Sequence, residues 1–182
     1  MIYRFENVFP FVDHDKIYRY ALQSFYKIGW EDSDDLDKKR YPSLHSTYND
    51  NDIKYLNIIE LVKPYMAKTK YKHLCKPENI NTCVVNLTKP SDPNFLHTHH
   101  GNVSCLYYPN MKWDPDWAGE TVIYDKQVKD IKHSNAYKPN SLLIFDGDYP
   151  HTIRAQNYTG PSYRFTLALL FRKETQQWQK EH

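Results

Sequence analysis

A chain of 182 residues with 24 basic and 22 acidic side chains is long enough for one domain with a sizeable core, and its balanced charge gives no electrostatic footing for a nucleic-acid groove. Mean hydropathy is low at −0.80, yet aromatics make up 15% of the residues, with 16 Tyr and 4 Trp. That composition excludes a disordered chain and indicates an amphipathic aromatic interior.

Cys75, Cys83 and Cys105 are odd in number and lack metal-type spacing, so they read as buried free thiols in a reducing compartment. The opening Met1-Ile2-Tyr3-Arg4-Phe5-Glu6 mixes polar and apolar residues, which fits neither a signal peptide nor a membrane span. A cytoplasmic protein with no membrane or nucleic-acid partner is the expectation.

In chain order, Ile2 to Val8 reads as a strand stopped by Pro10. Asp13 is placed to cap a helix from about His14 to Lys27, with Ile17, Tyr20, Ala21, Ser24 and Phe25 on its buried face and Gly29 as its end. The charged run Glu31 to Arg40 has no apolar period and reads as a solvated loop. Asn49 or Asp50 starts a second helix, Ile53 to about Ala67, with Leu56, Ile58 and Ile59 inward and Pro64 near its end. Tyr71 to Glu78 stays ambiguous.

From Asn79 the texture changes to short strand-like runs between Pro, Gly, Asn and Asp clusters: 82–88, 96–99, 103–108, 120–124, 141–145, 152–155 and 163–172. Strands at this spacing indicate an antiparallel sandwich or barrel, with the helices packed outside one sheet. The organisation expected is a single domain over 1–182: a mainly helical support at 1–78, a β core at 79–172 and a tail at 173–182 that frays or forms a short helix.

His97 and His99 in Leu96-His97-Thr98-His99-His100-Gly101 are one residue apart, so on a strand their rings leave the same face, about 7 Å apart at Cα. His151 follows a buried-strand run and Pro150. Three imidazoles meeting on one face suit Fe(II), Zn(II), Ni(II) or Cu(II). A single strand-borne Arg, Arg164, sits in mostly apolar surroundings and needs an anionic partner. No Ser, Cys or Thr stands beside a base in a recognisable arrangement, which leaves nucleophilic hydrolysis with little support.

The pieces follow one another as His97-Thr98-His99, Leu106-Tyr107-Tyr108-Pro109-Asn110, Trp113-Asp114-Pro115-Asp116-Trp117-Ala118-Gly119-Glu120-Thr121, Pro139 to Gly147, Pro150-His151 and Arg164-Phe165-Thr166. In order and spacing they resemble the Fe(II)/2-oxoglutarate-dependent oxygenases of the prolyl 4-hydroxylase type, whose pattern is His-x-Asp, a Tyr-Tyr-Leu-Asn strand, a Trp-Asp and Gly-Gly-Glu loop, a distal Pro-His and Arg-x-Ser/Thr. The resemblance spans about residues 82–172. It implies an all-β core with flanking helices, the double-stranded β-helix or jelly roll, cupin-like. It also implies an iron site made by His97, His99 and His151, with the far carboxylate of 2-oxoglutarate on Arg164 and Thr166. Tyr108 would reach that carboxylate and Asn86 would line the same pocket. The implied activity is that of a dioxygenase, an oxidoreductase that splits 2-oxoglutarate to succinate and CO2 while hydroxylating a C–H bond.

The sequence departs from the pattern where the family has Asp and this chain has His99. Three neutral imidazoles leave a divalent cation at +2, which holds dianionic 2-oxoglutarate more tightly but makes protons better competitors for the ligands near pH 6.5. A three-His iron site running 2-oxoglutarate chemistry, another O2 reaction of the kind three-His cupins perform, and a non-catalytic metal- or ligand-binding jelly roll all remain open. No Glu follows the His pair at cupin spacing, and Asp146, Asp148 and Glu120 are the carboxylates that would have to replace the missing one. Trp113 and Trp117 read as packing at the pocket mouth, His45 lies where such enzymes often carry a mobile substrate lid, and Arg154 reads as a surface residue able to meet an acidic substrate.

Overall fold

The computed structural model describes residues 1–30, 41 and 43–173. Its strands are β1 (Ile2–Glu6), β2 (Lys27–Trp30), β3 (Ser43–Thr47), β4 (Ile80–Thr88), β5 (Asn102–Tyr108), β6 (Thr121–Tyr124), β7 (Ile131–Asn135), β8 (Ser141–Asp146), β9 (His151–Ile153) and β10 (Arg164–Arg172). The helices are α1 (Phe11–Gln23), α2 (Asp50–Tyr55) and α3 (Ile58–Met66). A seven-stranded sheet runs β1-β8-β5-β10-β4-β3-β2 and a three-stranded sheet runs β7-β6-β9, with antiparallel pairing throughout. This is the antiparallel β core that the spacing of the strand-like runs indicates, in the jelly-roll form that the family resemblance implies.

Period-two alternation sorts the central strands into two faces. Phe165, Leu167, Leu169 and Phe171 of β10, with Cys83, Val85 and Leu87 of β4 and Val103, Cys105 and Tyr107 of β5, join one core cluster with Ile17 and Ala21 of α1 and Ile58, Val62 and Met66 of α3. Val84, Leu106 and Ala168 turn the other way and meet Ile123 and Tyr137 in a second cluster between the sheets. Each large side chain buried this way stabilises the fold by roughly 1.5–3 kcal/mol. The helix-side cluster thereby anchors the central strands, and the inner face, which carries Arg164, Thr166, Tyr108, Ser104 and Asn86, is left for polar chemistry. The three cysteines are free and buried.

The N-terminal segment is less helical than its composition suggests, because β1, β2 and β3 all join the large sheet. α1 begins at Phe11 after Pro10, whose carbonyl accepts from the Asp13 and His14 N–H groups, so Asp13 lies inside the first turn and is not the cap. The helix stops at Ser24, whose backbone is extended and whose Oγ donates to the Tyr20 carbonyl. Residues 27–30 then pair with β3, so Phe25 is 92% exposed and Gly29 lies in a strand. The expected second helix is two: Asn49 and Asp52 form a reciprocal capping box on α2, and left-handed Asn57 (φ 54°) breaks the chain before α3. Leu56 and Ile58 are buried as expected, while Ile59 is only partly so.

His45 belongs to β3, paired with Asn86 and Lys27, and is part of the sheet, not of a lid. The charged run at 31–40 and the tail at 174–182 lie outside the described residues. Among the described residues no helix is long and apolar enough to cross a membrane.

Candidate metal centre and cosubstrate pocket

Residues 96–99 do not form a ladder strand. The segment is docked at two points: His97 and His151 exchange both backbone hydrogen bonds (3.0 and 2.9 Å), and the His99 N–H donates to the Gly147 carbonyl (2.8 Å). The mutual bond pair puts the His97 and His151 side chains on one face, and the period of two returns His99 to it. The ring centroids stand 5.1 Å (97 to 99), 4.5 Å (97 to 151) and 4.6 Å (99 to 151) apart. One ligand nitrogen from each ring lies within 4.8 Å of the others.

The hydrogen bonds also select the nitrogens. Nδ1 of His97 donates to the Phe95 carbonyl (3.0 Å) and Nδ1 of His151 to the Tyr149 carbonyl (2.9 Å), since a carbonyl only accepts; each Nε2 therefore carries the lone pair. His151 Nε2 is buried without a hydrogen-bond partner, which is costly for an acceptor unless something electrophilic takes the lone pair. A cation does so, and the donor set fits a borderline divalent metal.

Gly147 is what lets the two loops close. A Cβ there would stand 2.6 Å from the His99 carbonyl oxygen and 2.8 Å from that of Asn102. Gly147→Ala is expected to push the 99–102 turn outward and weaken Ni(II) binding at least tenfold, with a loss of about 1–3 kcal/mol in unfolding free energy as for other overpacked sites. Calorimetric titration and urea melts read the two effects separately.

Burial, with His97 adding a like charge, holds His99 at about 3, and burial with His97 and His99 holds His151 well below its ordinary value. Both rings therefore stay neutral where free imidazole is protonated, so at these two ligands protons compete with a metal only below the range around pH 6.5. The consequence for the metal-free protein has a definite sign. Between the unfolded value near 6.5 and the depressed folded values, the unfolded chain binds more protons, so stability falls as pH drops through that window. Each ring contributes on the order of 1 kcal/mol per pH unit. Urea midpoints at pH 7, 6 and 5 should decline, and less steeply in His99→Gln; a midpoint independent of pH would contradict this.

Arg164, the first residue of β10, is 1% exposed. Its Nε donates to the Gly119 carbonyl (3.1 Å) and Nη1 to Thr166 Oγ1 (2.6 Å), while Nη2 is buried without a hydrogen-bond partner. The guanidinium stands over the Tyr137 ring at 4.7 Å, a cation–π contact that offsets part of its desolvation. Burial lowers the Arg164 pKa, opposed by Tyr137, Tyr108 and Glu120, yet guanidinium stays charged in proteins. No carboxylate of the described residues forms an ion pair with it. A buried cation with one unsatisfied N–H pair is the counterpart of a carboxylate that the described residues do not supply.

Tyr108 is fully buried beside Arg164, its hydroxyl 2.9 Å from Thr121 Oγ1 and accepting from Asn135 Nδ2 (3.2 Å). Asn86 pairs with Thr166 across β4 and β10, and its Oδ1 is buried without a partner. Asp146 and Asp148 both accept from Lys173, and Asp148 also from the Gly101 N–H; Asp146, Asp148 and Glu120 all stand outside the ligand cluster, which among the described residues holds His97, His99 and His151. Trp113 packs on Tyr137 (4.2 Å between centroids) and donates to the Ala118 carbonyl, as a packing residue would. Arg154 is exposed and donates to the Tyr124 hydroxyl. Ser104, Gly147, Thr121, Asn135 and Tyr137 were not legible as site residues, because each reaches the site only through sheet register and side-chain contact.

No protein-family model matches the sequence, and no curated protein does. Solved structures do match. A prolyl-4-hydroxylase from Pseudomonas putida aligns with a TM-score of 0.66 at 15% identity, over 94% of this chain and 92% of that one. The fold is that of the prolyl 4-hydroxylase-like 2-oxoglutarate oxygenases. A 2OG-Fe(II) oxygenase-family oxidoreductase from Burkholderia pseudomallei shares this oxygenase fold with a TM-score of 0.66 at 10% identity, over 94% and 85% of the two chains. HygX from Streptomyces hygroscopicus, solved with nickel and 2-oxoglutarate bound, shares it with a TM-score of 0.67 at 8% identity, over 95% and 83%.

Proposed function

We propose that the protein is a non-haem Fe(II)- and 2-oxoglutarate-dependent oxygenase that hydroxylates a substrate C–H bond. The reading rests above all on Arg164 Nη2, a buried cationic donor without a hydrogen-bond partner among the described residues, on the face that also carries Thr166, Tyr108 and Asn86. Its support is the oxygenase fold of the solved neighbours and a cluster of three imidazoles.

His97, His99 and His151 would hold the iron through Nε2. Arg164, with Thr166 and Tyr108, would hold the far carboxylate of 2-oxoglutarate, and Asn86 would line that pocket. When bound, metal and cosubstrate supply the oxidative chemistry, in which O2 is consumed and 2-oxoglutarate leaves as succinate and CO2. The chain's own share is orientation and dryness. The planar guanidinium fork fixes one end of the diacid, and Tyr137, Trp113 and Phe145 exclude water around it, which strengthens each charged contact. No protein group has to act as nucleophile.

A metal- or ligand-binding protein on the same fold is the second reading, favoured by one observation: the carboxylate of the family pattern is His99 here. Anaerobic addition of Fe(II) and then 2-oxoglutarate separates the two. The oxygenase reading expects a weak visible charge-transfer band and, on admitting air, succinate. Binding of metal with neither band nor succinate would leave the second reading standing.

A further inference from the structure

We propose that Ser104 is a positioning residue of the three-histidine centre, holding the His99 ring through Nδ1 so that Nε2 faces the cation. The inference rests on the metal site argued above and concerns how this chain makes a histidine serve at position 99. His97 and His151 take their orientation locally, each donating Nδ1–H to the carbonyl two residues back, Phe95 and Tyr149. His99 is held differently. The carbonyl two residues before it belongs to His97, and it accepts from the His151 N–H across the bridge (2.9 Å). The ring's hydrogen-bond partner comes instead from β5: Ser104 Oγ lies 2.7 Å from His99 Nδ1. Ser104 is fully buried on the inner face of β5.

The chemistry explains why such a partner matters here. A carboxylate has two equivalent acceptor oxygens and no tautomers, so at position 99 it needs no partner to present a lone pair. An imidazole must carry its proton on one nitrogen and ligate with the other, and the bond made by the first decides which. Ser104 accepting from Nδ1–H leaves Nε2 as the ligand. The turn supplies the rest of the restraint, through the Gly147 carbonyl and the His99 carbonyl accepting from the Asn102 N–H (3.0 Å).

The test uses the full chain with Ni(II) as probe, followed by calorimetric titration. Ser104→Ala is expected to weaken Ni(II) binding about 10–100-fold, the range for lost partners of metal-bound imidazoles, and Ser104→Thr, which keeps the hydroxyl, to stay within about threefold of the parent. In Zn(II)-loaded protein, NMR should show a slowly exchanging Nδ1 proton on each of the three rings. Ser104→Ala should lose the His99 signal alone. Parent affinity in Ser104→Ala, or loss of all three protons together, would overturn the proposal, the second because it reports general loosening. Equal Ni(II) affinity in the parent and His99→Ala would remove the three-histidine reading itself, and is distinguishable because it does not involve Ser104.

Discussion

Arg164→Ala is expected to abolish 2-oxoglutarate binding while leaving the metal site intact. Among the described residues Arg164 is the one buried lysine or arginine, with Nε engaged by Gly119, one Nη1 proton by Thr166, and Nη2 unpartnered. Charge-assisted hydrogen bonds contribute about 1.5–3 kcal/mol each, so losing a two-pronged contact should weaken 2-oxoglutarate by more than about 100-fold. Ni(II) affinity should change little, because no ligand or ligand partner is touched. The simplest readout is thermal: at 100 times its Kd, 2-oxoglutarate stabilises the parent by about 2.7 kcal/mol, a rise of roughly 5–10 °C for a chain of this size. The variant should show no shift. A variant that still gains several degrees would mean that the diacid sits elsewhere.

The second large effect is at His99. His99→Ala should lower Ni(II) affinity by more than about 100-fold, since even the partners of ligating imidazoles are worth 10–100-fold. His99→Asp is more informative. It lowers the net charge of the loaded site by one, which weakens the hold on a dianion, and it replaces a borderline ligand by a hard one. Mn(II) affinity should therefore rise relative to Ni(II), while 2-oxoglutarate affinity falls. Competition titrations with the two metals measure the first and the ligand-induced melting shift the second. Unchanged metal preference in His99→Asp, together with parent-like affinity in His99→Ala, would show that this ring is not a ligand.

The parts of the site that were readable in advance are those carried by local pattern. One residue between His97 and His99, Pro150 before His151, and Arg-x-Thr on an apolar strand place side chains by backbone period alone. The errors have equally local causes. Phe25 looked buried because it continues the helical stripe of α1, but β2 captures the following residues through pairing with β3. The second helix looked continuous because its apolar stripe is, yet Asn57 adopts a left-handed backbone that no periodicity reports. Residues 96–99 looked like a strand and proved to be an extended segment pinned at one bridge and one turn.

By itself, the sequence determined the strand-rich core, its two-faced alternation and the identity of the three imidazoles and the guanidinium, because spacing within a strand or turn fixes direction over a few residues. Tertiary structure decided the rest: that Asp146 and Asp148 are taken by Lys173, that Gly147 must lack a Cβ, that Nη2 of Arg164 has no hydrogen-bond partner among the described residues, and that Ser104 meets His99. Those facts depend on which distant residues face one another. Sheet register sets that, and register is fixed only when both sides of the β10-centred sheet bury their apolar faces together.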